Sequence, residues 1–276
     1  MKTISSFGKV YLVGAGPGAA DLITVRGAKL LARADIVFHD ALVEAEMLDL
    51  CPQAIKVPVG KRCGKLSSAQ HFINKRLIDA AKRYKTIVRL KGGDPMLFGR
   101  ADEELKTLKN AGIAVEVVPG ITAALAGAAS LGQSLTLRGV SRSVAFITRA
   151  KAVDDIDQAK ALPISNPCAD TLVYYMGRND AATIAQQLIK QSSHHTFYTP
   201  VHILEAVSTQ RERHWASTLG ALAQGKADAW FDSNSPALIL VGEALRQTHE
   251  NLKSPCSKIN NRLQDRQVLT NSLRRA

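Results

Sequence analysis

No apolar run among the 276 residues is long enough to span a bilayer. The longest candidate, around residues 121–131, is short and rich in alanine and glycine, so no membrane contact is expected. An export signal is not expected either. Lys9, Gly14, Gly16 and Pro17 break up any apolar core behind Met1, and the cytoplasm is the expected compartment. Cysteine is scarce. Cys51, Cys63, Cys168 and Cys256 are scattered with no C-x-x-C pair, which points away from a zinc site or a disulfide framework; no metal is expected. Aromatic residues make up only 5% and are not interleaved with basic ones, as a base-stacking groove would require. Acidic residues are in deficit, 24 against 36 Lys and Arg, and the resulting charge of +12 favours an anionic partner. Nucleic acid, a polycarboxylate or a phosphate ligand would each satisfy that charge. Part of the surplus says nothing about a ligand, because residues 247–276 form a basic, polar, aperiodic tail that is expected to be disordered.

What is present is an α/β pattern. Apolar runs at 10–13, 35–39, 55–59, 86–90 and 114–118 read as short strands, and helical periodicity separates several of them. Thr24 is an N-cap candidate for a helix over 25–32. Ser67 and Gln70 fit a capping box, with Ser67 as N-cap. The residues from Ala101 to Ala111 read as a helix that ends at Gly112. A run of small residues over 121–131 reads as a closely packed helix. The pattern then restarts, with strands at 143–147, 171–175, 200–204 and 237–241, and helices at 179–191 and 218–224. Segments 151–168 and 192–199 read as loops. No internal repeat is evident. The expected architecture is two α/β domains, 8–120 and 121–246, with the active-site cleft between them, followed by the tail at 247–276.

The chemistry concentrates at strand ends. The stretch R-L-K-G-G-D-P-M-L-F-G-R, Arg89 to Arg100, places two glycines, a carboxylate and a proline where a strand meets the next helix. Ligands bind at that edge of an open α/β sheet, although a tight turn alone would also use these residues. Gly14-Ala15-Gly16-Pro17-Gly18-Ala19 nearly satisfies a dinucleotide-binding motif. Pro17 interrupts that loop, however, and the next helix begins only at Thr24, too late to hold a pyrophosphate. Asp40 closes the second strand as a helix cap or a functional carboxylate. Lys61, between Gly60 and Gly64, is either solvated or aimed at a ligand.

The chain resembles the S-adenosyl-methionine-dependent tetrapyrrole methylases over about residues 8–245. The matching pieces are V-G-A-G-P-G (13–18), D-L-I-T (21–24), A-D-I-V-F-H-D-A-L-V (34–43), V-G-K-R (59–62), the stretch 89–100, V-V-P-G-I-T-A-A (117–124), Y-Y-M-G (174–177) and S-P-A-L-I-L-V-G (235–242). The resemblance implies a donor, S-adenosyl-methionine, bound by Pro17, Gly92, Gly93, Asp94, Leu97, Thr122, Ala123 and Met176. It also implies Asp40 as proton acceptor, Lys61 as proton donor and a homodimer. The implied reaction is two successive methyl transfers onto ring carbons of uroporphyrinogen III, giving precorrin-2 on the way to sirohaem and cobalamin. An anionic octacarboxylate substrate gives the positive charge a purpose. Arg62, Arg100 and Arg138, with Arg89, Lys91 and Arg142, are candidates for holding it.

Some family positions differ. Leu66 stands where a histidine is usual, Leu137 replaces the histidine of a T-H-R motif, and Thr148-Arg149-Ala150 replaces T-G-H. The segment after Glu205 is about two residues short of the family loop. Two further readings follow: a tetrapyrrole methylase acting on another precorrin, and, from the charge alone, a nucleic-acid-binding protein. The dehydrogenase–chelatase region of fused sirohaem synthases is not in this sequence, so neither oxidation nor iron insertion is expected of it.

Overall fold

Short apolar runs that end in glycine or a polar residue become the strands of a parallel sheet. The computed structural model describes residues 7–59, 66–149 and 168–246. Lys61, Arg62, all but the last residue of the loop expected over 151–168, and the tail 247–276 lie outside the described residues. The first sheet is built from β1 (Lys9–Gly14), β2 (Ile36–His39), β3 (Ile55–Pro58), β4 (Thr86–Lys91) and β5 (Val115–Val118). Their order is β3-β2-β4-β1-β5, and every pairing is parallel. Helices cover both faces, which is why the central strands read as continuous apolar runs. Val10, Leu12, Ile36, Phe38 and Ile87 pack against α3 (Leu66–Ala81) and α4 (Ala101–Asn110). The alternate residues Val13, Val37, Val88 and Leu90 face α1 (Val25–Leu31) and α2 (Ala45–Leu48).

This order has a switch point. From β1 the chain crosses to β2 by way of α1; from β4 it crosses the other way to β5 by way of α4, on the opposite face. The carboxyl ends of the neighbouring strands β1 and β4 therefore border a crevice, where open α/β sheets bind ligands.

The second sheet comprises β6 (Val144–Thr148), β7 (Thr171–Tyr175), β8 (Pro200–Glu205), β9 (Arg213–Thr218) and β10 (Ala237–Gly242), in the order β6-β7-β10-β8-β9. Here only β6 and β7 are parallel; the other pairs are antiparallel. The α/β pattern restarts in composition but not in topology. Helices α6 (Ala181–Gln191) and α7 (Leu219–Ala223) cover one face, and α5 (Ala123–Leu131) the other. All ten strands lie in one compact unit that ends at Leu245. Among the described residues no helix is long and apolar enough to cross a membrane.

The caps show how local chemistry sets these boundaries. Thr24 accepts from Gly27 N–H at 3.2 Å and starts α1 where expected. Thr218 does the same for Ala221 at the start of α7. The side chain of Ser67, the expected N-cap of α3, lies outside the described residues; Gln70 is buried, its amide donating to Asn74 Oδ1 and Glu104 Oε1 at 3.1 Å. Strand β9 was not expected, because Arg-His-Trp-Ala-Ser-Thr shows no apolar alternation. It is a half-exposed edge strand held by its ladder to β8.

Candidate active site

Four strand ends of the first sheet meet at the crevice. Gly14 ends β1, Asp40 follows β2, Gly92 and Gly93 follow β4, and Gly120 follows β5. Gly93 donates its N–H to the Gly16 carbonyl at 2.7 Å, and Gly16 donates to the Gly93 carbonyl at 3.2 Å. A Cβ on Gly14 would stand 2.5 Å from the Gly120 Cα, so main chain touches main chain with no room for a methyl group. Gly93 differs: its φ is +69°, and a Cβ there would point into open space. Asp94 joins this floor rather than projecting from it. Its Oδ1 accepts the Met96 N–H at 2.8 Å and its Oδ2 accepts the Gly120 N–H at 2.9 Å. Leu97 follows in the same turn, donating its N–H to the Asp94 carbonyl at 3.3 Å, and Pro17 is half-buried between Gly16 and Gly18.

The second half of the chain closes over this floor. Thr122 is the N-cap of α5 and Ala123 its first residue. The Thr122 hydroxyl stands 2.6 Å from the Tyr175 hydroxyl, which also accepts the Ala124 N–H at 3.2 Å. Burial pushes the Tyr175 phenol pKa upward; its bonds with Thr122 and the Ala124 N–H oppose that shift only in part. Its ring meets Phe98 at a centroid distance of 5.1 Å. Met176 follows, 53% exposed, with φ +55°. On the far side Ser208 Oγ accepts the Ala19 N–H at 3.1 Å, and Arg211 pairs with Glu44 at 2.9 Å. Among the described residues five non-glycines take positive φ: Phe98, Arg100, Met176, Ala206 and Ser208. All sit in these loops, where backbone strain concentrates when a site demands a particular shape.

Asp40 has a partner that the sequence reading assigned elsewhere. Arg89 Nη2 donates to Asp40 Oδ1 at 2.5 Å. Arg89 and Lys91 were expected to reach an anionic substrate. Instead they are 2% and 3% exposed and point under the floor, towards α3 and α4. Both donate to Oε1 of the fully buried Glu104, at 3.3 and 3.0 Å. Burial lowers the Lys91 pKa, the Arg89 charge adds to this, and Glu104 opposes it. Two buried cations need buried anions, and alternation along β4 turns both to one face.

The other expected cations are differently placed. Arg100, at the N-cap of α4, is paired with Glu103 at 2.5 Å. Arg138 is exposed in the turn between Leu137 and Ser141, and Arg142 is exposed beside it. Sequence reasoning marked the segment after Glu205 as a departure near the site but missed Tyr175 and Glu104 as site-forming. Tyr175 carried a signal, within the Y-Y-M-G piece; Glu104 carried none.

The family model Tetrapyrrole (Corrin/Porphyrin) Methylases matches residues 9–223. The chain is 42% identical over 246 residues to siroheme synthase 1 of Cronobacter sakazakii, covering 89% of this chain but 50% of that protein. It thus spans about half the length of the siroheme synthases it matches. It is also 42% identical over 240 residues to the uroporphyrinogen-III C-methyltransferase of Pseudomonas aeruginosa, covering 87% of this chain and 95% of that one. The solved uroporphyrin-III C-methyl transferase of Thermus thermophilus, complexed with S-adenyl homocysteine, superposes with a TM-score of 0.72 at 36% identity, over 87% of this chain and 94% of that one. With a parallel sheet whose glycine-lined edge faces a second, mixed sheet, and with matches running through both, the chain belongs to the tetrapyrrole methylase family.

Proposed function

We propose that this chain transfers two methyl groups from S-adenosyl-methionine to ring carbons of uroporphyrinogen III, giving precorrin-2, in the cytoplasm. The observation that carries this reading is the main-chain floor of Gly16, Gly93 and Gly120 with Asp40 at its rim. The residues fit the donor: Gly93 leaves open space above the main-chain floor, and Pro17, Gly92, Asp94, Leu97, Thr122, Ala123 and Met176 stand in the loops around it. When bound, the donor supplies a methyl on a positively charged sulfur, and the carbon–sulfur electron pair stays with sulfur as the ring carbon takes the methyl. The chain's own work is to align the acceptor and move its proton. Asp40 accepts the proton that the methylated ring must lose, and Lys61 returns one. Proton transfer of this kind contributes about 10²–10⁴ in rate, and alignment about 7–11 kcal/mol of barrier. Positioning therefore dominates.

The division into an N-terminal half over 8–120 and a C-terminal half over 121–246 serves this arrangement, one carrying the floor and the other the cover. We assign Arg62, Arg100 and Arg138 only the outer electrostatic capture of carboxylates. The homodimer fits the apolar concavity of about 470 Å³ beside edge strand β6, lined by Leu125, Ala128, Leu135, Val144 and Phe146.

The test is incubation with uroporphyrinogen III and labelled S-adenosyl-methionine, counting methyl groups on the product. Two per macrocycle is the expected count; transfer only to another precorrin would replace this reading with the divergent-methylase one. Asp40→Asn should lose most turnover and keep donor binding.

A further inference from the structure

Glu104 is 0% exposed, on α4 beneath the crevice floor. Its Oε1 takes three donors: Gln70 Nε2 at 3.1 Å, Arg89 Nε at 3.3 Å and Lys91 Nζ at 3.0 Å. Its Oε2 has no hydrogen-bond partner among the described residues. Such an arrangement is costly, because a buried carboxylate needs both oxygens satisfied. The polar cluster extends across α3 and α4, where Asn74 donates to Thr107 Oγ1 at 3.0 Å and Thr107 to the Glu103 carbonyl at 2.8 Å. Core aliphatics at these positions would pack without desolvating a charge.

What the cluster does is visible at its other end. Arg89 is a two-ended bridge: Nε faces Glu104 and Nη2 faces Asp40, while Nη1 donates to the Leu90 carbonyl at 3.1 Å. A guanidinium is planar and rigid, so fixing one edge fixes the other. Gln70 and Lys91 fix Glu104 in turn. We propose that Glu104 is a positioning residue for the methyl transfer, acting through Arg89 to hold the Asp40 carboxylate at the angle from which it takes the acceptor's proton. This rests on the assignment of Asp40 as the proton acceptor. Glu104 touches neither donor nor substrate; its effect passes through one side chain.

The experiment is a double-mutant cycle on the full chain: wild type, Asp40→Asn, Glu104→Gln and the double variant. Each is measured for kcat, for KM with uroporphyrinogen III and for affinity towards S-adenosylhomocysteine by calorimetry. Glu104→Gln should lower kcat about tenfold or more, with KM and donor-product affinity within about twofold. In the Asp40→Asn background the same change should have no further effect on kcat, because residues acting as one unit are not additive. An equal loss in both backgrounds would mean that Glu104 merely supports the fold, and no loss in either would dismiss it; both overturn the proposal. Wild-type turnover by Asp40→Asn would instead overturn the proton-acceptor assignment beneath it. Should Glu104→Gln fail to bind S-adenosylhomocysteine, the charge-balanced pair Lys91→Met with Glu104→Gln replaces it, read by the same criteria.

Discussion

Gly14 and Gly120 approach so closely that a Cβ on the first would stand 2.5 Å from the Cα of the second. The obstruction is main chain on both sides, so no rotamer change relieves it. Gly14→Ala should therefore destabilise the first sheet by about 1–3 kcal/mol, read as a lower midpoint in urea with an unchanged slope. A variant as stable as wild type would mean that β1 and β5 can separate at their ends without penalty.

Gly93→Ala makes the opposite demand. The space beside it is open, but φ is +69°, and a left-handed alanine costs about 1–2 kcal/mol. The new methyl group would project into the open space proposed for the donor. Stability should fall modestly while S-adenosylhomocysteine affinity falls by about two orders of magnitude or more. Unaltered affinity by calorimetry would move the donor site away from this glycine.

Tyr175→Phe keeps the ring contact with Phe98 and removes the hydroxyl that bonds Thr122 and the Ala124 N–H. It leaves an α5 N-terminal donor without its acceptor. The expected cost is about 1–2 kcal/mol in chemical denaturation. No cost would show that solvent replaces the hydroxyl freely.

Acid should weaken the second half first. His202 Nε2 lies 2.9 Å from the Leu245 carbonyl, which can only accept, so that nitrogen carries the proton and Nδ1 accepts from His214 Nε2 at 2.8 Å. Burial lowers the pKa of both rings, and of His195. The unfolded chain then takes up protons first, from about pH 6.5 downward. Stability is full above that pH and declines below it until the folded rings also protonate. Asp170 and Asp232, held low by hydrogen bonds from backbone and serine, add their loss only below about pH 4. A melting temperature that is flat between about pH 7 and pH 5, or a slope that His214→Gln leaves unchanged, would refute this.

Much of the first sheet was legible because its central strands β1 and β4 are buried on both faces and run into glycine. Runs such as Val10–Val13 and Ile87–Leu90 follow from that burial alone. Thr24 was legible as a cap because capping is local chemistry. Strand β9 was not, since an edge strand held by its ladder needs no apolar alternation. The site was legible as a set of loops but not as contacts. The sequence places Arg89 three residues from Gly92 and says nothing of Glu104 behind it, because that pairing depends on α4 crossing β4. Arg89 and Lys91 looked like substrate ligands for the same reason. A basic residue beside a glycine motif reads as exposed until its buried counter-charge is found. Lys61 and Arg62, the two residues of V-G-K-R that carry the cation argument, lie outside the described residues.

The paired loops at Gly16 and Gly93 carry a lesson for redesign. A floor made of main chain has its contour written in dihedral angles, so side chains elsewhere can be exchanged without redrawing it. The 206–211 segment across the crevice is instead shaped by side chains such as Ser208 and Arg211. Engineering a new acceptor should begin on that segment, apart from the residues assigned to the donor.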